Sequence, residues 1–136
     1  MALLTRATDA SLDTSTGMYA QQLTGLLAGQ DLDVAAPCYI KAADGLVYMC
    51  NATAATEPAK CYGFTPRAVK SGQPVTLFGV GSRFKYGSGL TPGAQYFVGA
   101  TAGRLDTAAT VGDAVGVAFA IDTTDIMVIR ANGKGA

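Results

Sequence analysis

The residues able to do chemistry are few and scattered. The 136-residue chain has no His and no Trp, and Glu57 is its only Glu. Without His there is no Ser-His-Asp triad, no Cys-His pair and no His-ligated metal. Two carboxylate pairs remain, Asp31/Asp33 and Asp122/Asp125. Close carboxylates serve acid–base chemistry or hold Ca²⁺, but neither pair has EF-hand-like spacing. Asp122 and Asp125 flank Thr123-Thr124, where Asp is favoured because it bonds nearby backbone N–H groups. The turn reading is preferred to a catalytic dyad.

Cys38, Cys50 and Cys61 are odd in number and fit no metal-ligand spacing. They read as small buried apolar residues, with a Cys50–Cys61 disulfide as the alternative. Gly79-Val80-Gly81-Ser82 supplies two Gly of a nucleotide-binding pattern without the third, and no helix follows to face a phosphate. Gly133-Lys134-Gly135 lacks the strand and helix of a P-loop. Asn51-Ala52-Thr53 matches the glycosylation sequon, but no signal peptide is read, so the match is assigned to chance. No catalytic residue, cofactor or metal is expected.

Arg83, Phe84, Lys85 and Tyr86 form the only basic–aromatic cluster. Two cations are too few for the salt-dependent affinity of a nucleic-acid protein. The cluster is read as an exposed loop contacting another protein, because Arg and aromatics anchor interfaces. Lys+Arg and Asp+Glu are 10 each, which gives no electrostatic footprint for nucleic acid or anionic lipid. No apolar run approaches the ~20 residues of a membrane span. Neither nucleic acid nor membrane is an expected partner.

The elements that must position these residues are short strands. Residues 34–41 and 46–50 are apolar runs around Asp44-Gly45, a hairpin signal of the type I′ kind, with positive φ at both central positions. Residues 61–69 and 74–80 flank Lys70-Ser71-Gly72-Gln73. Residues 81–93 form a Gly/Ser-rich loop ending in Thr91-Pro92-Gly93, suited to a type II turn. Residues 95–99 form a strand, followed by the Ala102-Gly103 turn. In 114–121 the bulky Val115, Val117, Phe119 and Ile121 alternate with Ala114, Gly116, Ala118 and Ala120. That is period 2, with a small-residue face against which a sheet or a subunit can pack closely. Residues 126–130 close the fold.

The fold class is therefore all-β, a small β-sandwich or barrel (β-tulip-like) with an extended N-terminal arm. The chain divides into an arm over 1–17, one β domain over 18–131 and a flexible tail over 132–136. Residues 18–33 are extended, since Gly25 and Gly29 oppose a helix. The arm is polar but carries Leu3, Leu4, Arg6 and Leu12, which suit docking on a partner. Charged residues are only 15% of the chain, a poor recipe for a soluble monomer, so a homo-oligomer is expected.

Leu27-Ala28-Gly29-Gln30-Asp31-Leu32 followed by Ala36-Pro37-Cys38-Tyr39-Ile40 resembles the opening of small bacteriophage structural proteins. Tyr62-Gly63-Phe64 followed by 69–76 is similar to their middle section. Residues 88–98, then Gly103-Arg104-Leu105, Val115-Gly116-Val117-Ala118 and Ile126-Met127-Val128 resemble their C-terminal half. Over about residues 25–130 the pattern resembles the phage head decoration, or capsid cement, proteins and related β modules of tail fibres. The resemblance implies a non-enzymatic virion protein, made in the bacterial cytoplasm, that binds the capsid exterior. It implies a homotrimer at local threefold positions whose arm (Leu3, Leu4, Arg6, Leu12) reaches over the major capsid protein and stabilises the shell. The alternative is a tail-fibre or spike-associated β module binding a host-surface glycan.

Overall fold

The computed structural model describes residues 3–6 and 21–131. Leu12 and the 132–136 tail lie outside them. Among the described residues the fold is all-β: β1 (Gln22–Leu27), β2 (Pro37–Ile40), β3 (Val47–Met49), β4 (Gly63–Phe64), β5 (Pro74–Phe78), β6 (Arg83–Lys85), β7 (Gln95–Val98), β8 (Leu105–Asp106), β9 (Ala118–Ala120) and β10 (Asp125–Val128). One 3-10 turn, Glu57–Ala59, interrupts them, with Pro58 in its first turn, where the missing N–H costs nothing.

The strands form two antiparallel sheets of five. The first has the order β1-β5-β4-β2-β3 and the second β6-β10-β9-β7-β8. Together they make a β-sandwich. Alternation along each strand sends neighbouring side chains to opposite faces. On β2, Tyr39 joins the main core between the sheets, beside Phe64, Phe84, Tyr96, Val98, Leu105 and Ile126. Cys38 points the other way, into a smaller core with Val47, Val75, Leu77, Leu32 and Val69. The first sheet is thus covered on both faces, which is why β2 reads as a continuous apolar run and not as an alternating one.

Turn chemistry explains the strand ends. The Ala94 N–H donates to the Thr91 carbonyl at 3.0 Å and Gly93 has φ 83°, the geometry a type II turn requires after Pro92. Gln73 N–H to Lys70 O (3.1 Å) and Arg104 N–H to Thr101 O (3.2 Å) close two further turns at the expected places. The Asp44-Gly45 connection differs from the expected type I′ turn. Gly45 is left-handed and Asp44 is not. The loop spans 42–45, closed by Lys41 N–H to Leu46 O (2.9 Å) and Gly45 N–H to Lys41 O (2.7 Å). The Asp44 carboxylate accepts the Leu46 N–H (3.0 Å) and the Tyr48 hydroxyl (2.7 Å), which fixes the longer loop.

The 81–93 stretch is not simply a loop. It contains β6, paired in register with β10 as Ile126↔Phe84 and Met127↔Arg83. The 114–121 run shortens to β9, because Asp113 captures the Val115 and Gly116 N–H groups (3.2 and 2.8 Å) that a longer strand would use. Its small face, Ala118 and Ala120, is fully buried against the first sheet, and its bulky Phe119 faces outward.

Candidate interaction surface

The cluster Arg83–Tyr86 was expected to be an exposed contact loop, and here the structure corrects the sequence. Phe84 is 3% exposed and Tyr86 fully buried. Phe84 meets Phe64 of the first sheet at 5.5 Å between ring centroids. The Tyr86 hydroxyl accepts the Leu105 N–H at 2.9 Å, and burial raises its pKa. The charge–aromatic alternation of this tetrapeptide is the period-2 signature of a half-buried strand. Only Arg83 and Lys85 face out. The Arg83 guanidinium lies 3.0 Å from Asp125 and 3.2 Å from Asp122, so it is committed within the chain.

The Asp122 carboxylate caps its own turn, accepting the Thr124 and Asp125 N–H groups at 2.8 Å each. These bonds, with a smaller contribution from Arg83, hold its pKa below the ordinary value. Asp31 accepts the Ser71 N–H at 2.9 Å and faces Lys70 at 3.9 Å, while Asp33 pairs with Arg6 at 2.8 Å. Both line a depression of about 250 Å³ beside Leu32 and Val69. Each is matched to its own cation. Cys38, Cys50 and Cys61 are free and fully buried. Burial pushes the Cys38 and Cys50 thiols well above their usual range, and neighbouring Cys61 adds to both shifts. Among the described residues no group of three His, Cys, Asp or Glu could hold a metal, and no helix is long and apolar enough to cross a membrane.

Of the arm residues, Leu3, Leu4 and Arg6 lie against the β domain. Leu3 bridges to Asp106 and Arg6 to Gly87, each as an isolated antiparallel pair. The Leu4 N–H donates to Leu105 O at 3.2 Å, and Leu4 packs on the main core. Arg6 donates to Gly103 O at 2.7 Å as well as pairing with Asp33. Leu4 and Arg6 are therefore occupied by the β domain itself: β8 offers Leu4 an open edge, while Gly87, the Gly103 carbonyl and Asp33 hold Arg6. Leu3 keeps 40% of its surface exposed.

What the described surface offers instead is the outward face of the second sheet. Register places Arg83, Met127, Phe119 and Gln95 in one row across β6, β10, β9 and β7. Phe97 lies further along β7 on the same face, alternating with the buried Tyr96 and Val98. Beyond the strand ends, Val111 (70%), Val115 (56%) and Ile129 (42%) are exposed. Ile129 continues the outward alternation of β10, with its N–H donating to Val117 O at 2.8 Å. Sequence reasoning missed this face. Only Phe119 of the bulky residues of 114–121 that alternate in the sequence lies on it. Val117 is buried in the main core beside Ala118, because the left-handed Gly116 breaks the alternation.

No family model matches the chain, and no curated protein matches it in sequence.

Proposed function

We propose that this chain is a non-enzymatic structural protein that assembles with copies of itself and cements a protein shell, as the phage head decoration proteins do. The observation that carries the reading is the outward face of the second sheet, where the half-buried Phe97, Phe119 and Met127 are continued by the exposed Ile129. Large apolar residues left partly uncovered together on one face mark a contact surface. Zero formal net charge leaves no long-range repulsion between copies. The chemistry available fits the same role: the carboxylates serve turns and ion pairs, and the thiols are buried. The resemblance over about residues 25–130 supplies the phage capsid as the partner and the capsid exterior as the location. A ring of copies seated on a lattice binds through repeated modest contacts that add by avidity.

The test is decoration of purified expanded phage shells, read by co-sedimentation and cryo-electron microscopy. Wild-type protein is expected to coat the shell at regular lattice positions and to raise its resistance to heat. The Phe119→Lys, Met127→Lys double variant is expected to keep the wild-type fold by circular dichroism and to lose assembly and coating. Absence of coating by the wild-type protein, or full coating by the double variant, overturns the reading. Saturable binding to a glycan array in place of shells would favour the host-glycan module instead.

A further inference from the structure

The segment 3–6 sits in a seat that is built for an extended strand. Gly87 passes so close to it that a Cβ there would overlap the Thr5 carbonyl, and a Cβ on Gly99 would come within 2.9 Å of the Leu3 side chain. Arg104 Nη2 donates to the Leu4 carbonyl, and the Leu105 carbonyl accepts the Leu4 N–H. Asp33 and the Gly103 carbonyl together receive the Arg6 guanidinium, whose side chain is 17% exposed. The seat reads a backbone, an aliphatic side chain at one position and a guanidinium two residues on.

We propose that this seat exchanges strands between copies: segment 3–6 of one chain docks on the β8 edge of its neighbour, so that each copy completes the site of the next. Two observations favour a second copy as occupant. The segment is held by two isolated bridges and a few side-chain bonds, not by a continuous ladder, so it can leave one seat for an identical one at little net cost. Fourteen residues, 7–20, join it to the described β domain. Fully extended they reach about 46 Å, against a radius of gyration of about 14 Å for a domain of this size. A neighbour's seat is therefore within reach. The same bonds form in either arrangement, while exchange makes the oligomer depend on them. This inference concerns contacts between copies and holds whether or not the assembly coats a shell.

The experiment mixes two full-length variants, Leu3→Cys and Asp106→Cys, one of them carrying a mass tag, and oxidises the mixture. Leu3 and Asp106 face each other in the bridge, and the three native thiols are buried. Exchange predicts a tagged–untagged disulfide-linked pair on a denaturing gel. It also predicts ladders of linked chains from the Leu3→Cys, Asp106→Cys double variant. Because Asp106 is buried, a benzophenone side chain at position 3 of an otherwise native tagged chain supplies a second probe that leaves the seat intact. Its cross-links should map to 104–106 of the untagged chain. Links found only within single chains, or no link to the seat by either probe, overturn the proposal.

Discussion

Phe64 on β4 and Phe84 on β6 touch across the sandwich, with ring centroids 5.5 Å apart and planes tilted by 55°. Tilted aromatic pairs at this separation add about 0.5–1.5 kcal/mol beyond the area they bury. The pair joins the two sheets at the point where the sequence suggested a surface loop. Phe84→Ala is therefore expected to cost about 3–5 kcal/mol, the range for emptying an aromatic site in a core. Lys85→Ala, its outward neighbour, is expected to stay within about 0.5 kcal/mol of wild type. Urea unfolding midpoints of the two variants check both. Equal, small effects would mean that residues 83–86 are surface after all.

The fully buried Asp113 carboxylate is a hub for the end of the fold. It accepts the Val98 and Gly116 N–H groups at 2.8 Å each and the Val115 N–H at 3.2 Å, and lies 2.7 Å from Arg130 Nη2. Breaking such a buried pair strands a charge and several donors together, at about 3–5 kcal/mol. Asp113→Ala should lower the unfolding midpoint accordingly. Hydrogen exchange should report loosened amides at Val98 and Gly116 before the rest of the sheet.

The three thiols are shielded in the native protein. Ellman's reagent at pH 8 should find almost none reactive without denaturant and three per chain in guanidinium. The direction of their pKa shifts also fixes an alkaline limb. Cys38 and Cys50 have folded values raised above the unfolded ones, so their contribution is full below the unfolded thiol pKa of about 8.5. It is lost as pH rises through the folded values, while the unfolded chain ionises first. Stability against urea should fall above pH 9, and less so in a Cys38→Ala variant.

Asp122 gives the opposite sign. Its folded pKa is lowered by the Thr124 and Asp125 N–H groups, so its contribution is full above the unfolded carboxylate pKa of about 3.9 and is lost as pH falls through the lowered folded value. Asp122→Asn should flatten the acid limb of the stability profile below pH 4. It should leave the alkaline limb unchanged, as read by thermal midpoints between pH 2 and 10.

The sequence by itself determined the class of the fold and much of its punctuation. Pro92-Gly93, Lys70–Gln73 and Ala102-Gly103 turn the chain where they stand, because a turn is decided by local backbone preference within four residues. Buried Cys and turn-capping Asp122 were legible for the same reason: small apolar size and a carboxylate beside its own N–H donors are local properties. Tertiary structure alone decided direction and partnership. Arg83–Tyr86 alternates whichever face is inside, and only the arrival of β10 and Phe64 turned its aromatics into the core. Ala118 and Ala120 were visible as a small-residue face, yet only packing against the first sheet made that face interior and Phe119 exterior. The open edge of β8 claimed Leu4, and Gly87, Gly103 and Asp33 claimed Arg6, which the sequence could mark only as groups awaiting a partner. Pairing between residues far apart in the chain, such as Arg6 with Asp33 or Asp113 with Arg130, depends on where a whole sheet places its edges, and no local period encodes that.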